Sequence, residues 1–125
     1  MKIIVYFLAL FFITLSKQDC HKKNGSDSVY KGRLEIKGIC MNYTIKLLEG
    51  SIDTSKIVTN WKDESSGKSH ANVFALGDPC RFPESINEGD EFYFLVDTIA
   101  PKECMVCQAY YPTPPRSLII KVLDK

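Results

Sequence analysis

Five cysteines follow an apolar leader, and no other feature constrains this chain as much. Cys20, Cys40, Cys80, Cys104 and Cys107 all lie beyond the apolar run 3–15, which only Thr14 interrupts. Lys2 gives the run a positive start, and Thr14 and Ser16 put small residues where signal peptidase reads them. The run is shorter than the roughly 20 residues a membrane span needs. Residues 1–16 therefore read as a signal peptide, and 17–125 as one secreted domain of 109 residues. In an oxidising compartment most cysteines pair, and an odd number leaves one over. Chain entropy favours long loops: a Cys20–Cys80 or Cys40–Cys104 bond is worth about 4 kcal/mol, a local Cys104–Cys107 bond about 2. Spacing alone leaves the connectivity open. The spare thiol is free to be buried, capped or used in a disulfide-linked dimer.

The whole chain carries a formal charge of +1, and removing Lys2 brings it to 0. Nothing in that balance draws the protein to nucleic acid or to an anionic membrane. A domain of this size holds a modest core. Asn24-Gly25-Ser26 and Asn42-Tyr43-Thr44 are glycosylation sequons, consistent with a secreted glycoprotein.

Alternating apolar residues mark the strands. In 29–37 Leu34 and Ile36 share one side with charges between them. In 41–47 Met41, Tyr43, Ile45 and Leu47 alternate with polar residues. These two strands should pair antiparallel, with a bulge at Gly32 and a bend at Gly38. Further strands are expected at 57–61, 71–76, 91–96 and 105–111, and 118–123 mixes strand and helix signals. The stretch 62–69 reads as an exposed loop, and Pro83-Glu84-Ser85 as one helical turn. No segment sustains a 3.6-residue period, so the domain should be mainly β.

Candidate chemistry is sparse. Cys104-Met105-Val106-Cys107 has the spacing of an exchanging dithiol, but no βαβ pattern surrounds it. Zinc would need a second spaced pair, and only His21 and His70 are on hand. His70 reads as an exposed residue at a strand start, and Asp90 and Glu91 point to opposite faces. We therefore expect a non-enzyme without metal or cofactor, acting through contact with a protein. The surfaces that fit are the arm (His21, Lys22), the turn Gly77, Asp78, Pro79 and Arg81, and the pair Tyr110 and Tyr111 beside Pro112-Thr113-Pro114-Pro115.

Several motifs, in order, resemble the netrin-like family, which includes the inhibitory domain of tissue inhibitors of metalloproteinases and the amino-terminal domain of agrin. They are Cys20, Val29-Tyr30-Lys31-Gly32, Ile45-Lys46-Leu47-Leu48-Glu49-Gly50, Phe74-Ala75-Leu76-Gly77-Asp78-Pro79-Cys80 and Gly89-Asp90-Glu91-Phe92-Tyr93-Phe94-Leu95-Val96. The resemblance implies a five-stranded OB-like Greek-key barrel stapled by disulfides. It also implies a Cys20–Cys80 bond and a bond from Cys40 to Cys104 or Cys107. Its expected role is a secreted binding module for a matrix component, a receptor or a host protein. Inhibitors of the family chelate zinc through an amino-terminal cysteine, whereas three residues precede Cys20 here if the chain starts at Lys17. A metalloproteinase inhibitor is thus the alternative, conditional on Cys20 being the mature amino terminus. The alternative fold is an immunoglobulin-like sandwich, from the order Cys40, Trp61, Cys107.

Overall fold

The computed structural model describes residues 28–124. The expected signal peptide, Cys20, His21, Lys22 and the Asn24 sequon lie outside the described residues. Six strands form one mixed sheet: β1 (Tyr30–Lys37), β2 (Tyr43–Glu49), β3 (Val58–Lys62), β4 (Ser69–Leu76), β5 (Glu91–Asp97) and β6 (Ser117–Val122). Their order is β2-β1-β5-β6-β4-β3, and β2 also pairs with β4. Every pair is antiparallel except β4–β6, which runs parallel through Ala75↔Ser117 and Leu76↔Leu118. Two 3-10 turns, Ile39–Met41 and Pro79–Arg81, are the helical elements among the described residues.

The period-2 pattern does what it should. In β1, Gly32, Leu34 and Ile36 turn inward while Lys31, Arg33, Glu35 and Lys37 stay half-exposed. Leu34, Ile45, Phe74 and Phe94 are fully buried at the centre of the core. Phe94 meets the rings of Tyr30, Phe74 and Phe92 at centroid distances of 5.5, 6.0 and 6.0 Å. Gly32 makes room for that cluster, since a Cβ on it would lie 2.9 Å from Phe94 Cε1. The β1–β2 register shifts at Lys31/Gly32, where the bulge was expected.

Four expectations change. There are six strands rather than five, because the stretch with mixed strand and helix signals forms β6 between β5 and β4, while the expected strand at 57–61 pairs beside β4 through Val58↔Val73 and Trp61↔His70. That pairing also starts β4 at Ser69, two residues early, and shortens the loop before it. The loop is exposed as its composition implies, apart from one residue. Asp63 is 2% exposed and accepts hydrogen bonds from Ser65 N (2.9 Å), Ser65 Oγ and Ser66 Oγ (2.7 Å). The strand expected at 105–111 does not form, because that backbone lies against no other strand and its apolar side chains face outward. A two-sheet sandwich is not seen either. The strands share one sheet, Trp61 tilts against His70 at 5.8 Å, and Cys107 lies outside every strand.

Two disulfides staple this sheet, Cys40–Cys107 and Cys80–Cys104. The first is one of the two bonds the resemblance allowed for Cys40. The second replaces the expected Cys20–Cys80 bond, and its cause is local. Asp78 Oδ2 accepts the Lys102 amide at 3.3 Å and Arg81 Nη2 donates to Ala100 O at 3.3 Å. These ties lay the chain after β5 over the Pro79–Arg81 turn and bring Cys104 to a Cα distance of 5.8 Å from Cys80. Cys104 and Cys107 are bonded to separate partners and not to each other, so neither is a free thiol of an exchanging pair.

Candidate functional site

The segment 98–116, between β5 and β6, has no regular structure, and residues 98–110 are all exposed. It forms a ledge held at intervals. Asp97 Oδ1 accepts the Ile99 amide at 3.0 Å and turns the chain out of β5. Asp78 and Arg81 then hold Lys102 and Ala100, and the two disulfides hold Cys104 and Cys107. Asn42 Nδ2 donates to Ala109 O at 3.3 Å. Tyr111 lies over Gly38, Pro114 is buried, and the Ala75 amide bonds Arg116 O at 2.8 Å as β6 begins.

The floor of the ledge is built from backbone in an unusual state. Cys40 and Met41 have φ of 56° and 58°, in the left-handed region that costs a non-glycine residue about 1–2 kcal/mol. The Cys40–Cys107 bond and the Asn42 amide, which donates to Ile39 O at 3.2 Å, keep this turn closed. A groove between ledge and floor is lined by Met41, Tyr43, Leu76, Pro79, Val106 and Thr113, with a volume of about 450 Å³.

The expected contact residues divide on this frame. Tyr110 is 80% exposed, whereas Tyr111 is half-buried on Gly38. Asp78 has a fully buried side chain and carries Arg81 Nε at 3.3 Å as well as the Lys102 amide. It anchors the ledge and is not available to a partner. Gly77 is tied by its amide to Leu118 O at 2.8 Å, and Pro79 is half-buried. Arg81 is exposed, but its guanidinium is committed to Asp78 and Ala100. The Asn42 amide nitrogen donates to Ile39 O (2.9 Å) and Ala109 O, so a sugar linked there displaces at least one of these bonds.

Sequence reasoning passed over Ile99, Met105 and Val106. They are 57, 99 and 42% exposed and give the ledge an apolar crest together with Tyr110. The signal was present in Cys104-Met105-Val106-Cys107. Once the two cysteines bond to different elements, Val106 lies half over the groove and Met105 has nothing to pack against.

A second polar cluster sits at the far end of β1. Glu35 accepts Arg33 Nη2 at 2.6 Å and Nε at 2.9 Å, and its other oxygen lies 2.9 Å from His70 Nδ1. Burial pushes the Glu35 carboxyl up. The hydrogen bonds to His70 and Arg33, with the charges of Arg33 and Lys46, outweigh that and hold it below its ordinary range. His70 is therefore not the exposed residue expected: its side chain is 11% exposed and its Nε2 is buried without a hydrogen-bond partner. Among the described residues no group of three or more His, Cys, Asp or Glu is gathered as a metal site. No helix among them is long and apolar enough to cross a membrane. No protein-family model, curated protein or solved structure matches this chain.

Proposed function

We propose that this chain is a secreted, netrin-like, non-enzymatic binding module whose contact surface is the disulfide-held ledge 98–116. The observation that carries the reading is the crest of Ile99, Met105, Val106 and Tyr110, exposed to water on a segment that two disulfides hold at Cys104 and Cys107. Exposed apolar and aromatic groups on a preorganised backbone gain on binding without the ordering cost of a free loop. Support for an OB-type barrel comes from the strand pairings. They run from β1 through β2, β4, β6 and β5 back to β1, with one parallel pair, β4–β6. Two disulfides are compatible with an extracellular protein.

The zinc-chelating alternative loses an anchor here. Cys80 is committed to Cys104, so it does not tether Cys20 beside the Asp78-Pro79 turn. Amino-terminal sequencing of the secreted protein separates the two readings, since a start at Lys17 leaves Cys20 without the free amine that chelation needs. Binding of the purified protein to immobilised matrix proteins and to intact cells tests the module itself. Saturable binding should fall at least about tenfold in the Ile99→Ser/Tyr110→Ser variant, the loss of two apolar anchors, with an unchanged melting temperature. Equal binding by the variant would remove the ledge as the contact surface.

A further inference from the structure

The reading of the ledge as a contact surface leads to a class of partner. We propose that residues 103–108 enter the substrate cleft of a serine peptidase with an apolar primary pocket, filled by the Met105 side chain. The protein then acts as a slowly released substrate mimic.

Three observations converge on this stretch. Met105 is 99% exposed, an unbranched apolar side chain with no packing partner on its own protein. Among the described residues no hydrogen bond reaches the backbone of 103–108, so its N–H and C=O groups are free to pair as an added strand. Its two ends are bonded to different supports, Cys104 to Cys80 on one 3-10 turn and Cys107 to Cys40 on the other.

That bracketing matters for the chemistry. The peptidase serine would attack the Met105 carbonyl carbon, form an ester there and break the Met105–Val106 bond. The proton of the serine hydroxyl would pass through the peptidase's histidine to the Val106 amine. In an ordinary substrate the amine diffuses away and water takes its place. Here Val106 remains beside the ester, because Cys104 and Cys107 are both held by this protein. The amine attacks the ester again, re-forming the peptide bond and the serine hydroxyl with no net reaction. Holding the two ends together in this way gives the reverse step the advantage of an intramolecular reaction.

The test is a titration of chymotrypsin and pancreatic elastase, with trypsin as a control for pocket chemistry, using chromogenic peptides as substrates. We expect chymotrypsin or elastase to be inhibited at or below about 1 μM, and trypsin to be spared. Met105→Asp should weaken inhibition at least about thirtyfold, the loss of one buried anchor, and Met105→Leu should retain it. Because Met105 touches nothing, both variants should melt with the parent, which removes misfolding as an explanation. The proposal is overturned if neither peptidase is inhibited, or if Met105→Asp inhibits as well as the parent. Complete hydrolysis at Met105–Val106 without inhibition also overturns it. If such a failure accompanies intact matrix or cell binding through Ile99 and Tyr110, the peptidase partner falls and the binding module stands. Loss of both removes the module as well.

Discussion

A methyl group at Gly38 would lie 2.6 Å from the Tyr111 ring and closer still to the Asn42 carbonyl oxygen. Both neighbours belong to the structure that seats the ledge, so neither can retreat cheaply. Gly38→Ala should cost about 1–3 kcal/mol, as overpacking does, read from the urea midpoint. Glu35 offers a test by pH. Its carboxyl is held below the ordinary value, so the stabilisation is present above that value and drains as the pH falls through the folded one. Glu35→Gln should therefore remove part of the loss of melting temperature between about pH 5 and pH 3, around the ordinary glutamate value. Asp53 and Asp63 are also lowered and will contribute acid sensitivity in both proteins. An equal loss in the variant would mean the Glu35 contacts add nothing. This cluster was hard to read in advance, because His70 finds Glu35 only when β1 and β4 are brought together across 35 positions.

The strands were legible where one face is buried and the other is wet. β1 announces itself through Leu34 and Ile36, and β5 through Phe92 and Phe94, and all four are inside. Phe94→Ala removes the ring that Tyr30, Phe74 and Phe92 share. A loss of about 3–5 kcal/mol is expected, against a total of about 5–15 for a domain. Thermal unfolding should record it as a large drop in midpoint. The expected strand at 105–111 failed for the opposite reason. Met105, Val106 and Tyr110 look like core residues by type, and only the disulfides explain why they face water. Apolarity predicts burial when nothing else holds the chain, and here something else does.

Across the whole molecule, the connectivity was the part that spacing left open. The observed bonds close loops of 67 and 24 residues, one inside the other. By chain entropy the pair Cys40→Ser/Cys107→Ser should lose about 4 kcal/mol and Cys80→Ser/Cys104→Ser about 3.5. Peptide mapping without reduction should recover Cys40–Cys107 and Cys80–Cys104, leaving Cys20 as one titratable thiol per chain or as a dimer link. A Cys20–Cys80 peptide would refute this arrangement. β6 is the last strand of the described chain, yet it lies between β5 and β4 in the sheet. Until residues 117–122 arrive, the edge of β5 from Phe94 to Asp97 and the end of β4 at Ala75 and Leu76 lack this partner, and open edges recruit other chains. Assembly on the ribosome would therefore stall with the sheet gapped, and the finished domain would form only after the final strand emerges. Chaperone cover over that interval, and poor yields from chains shortened before Ser117, follow from the place of one strand.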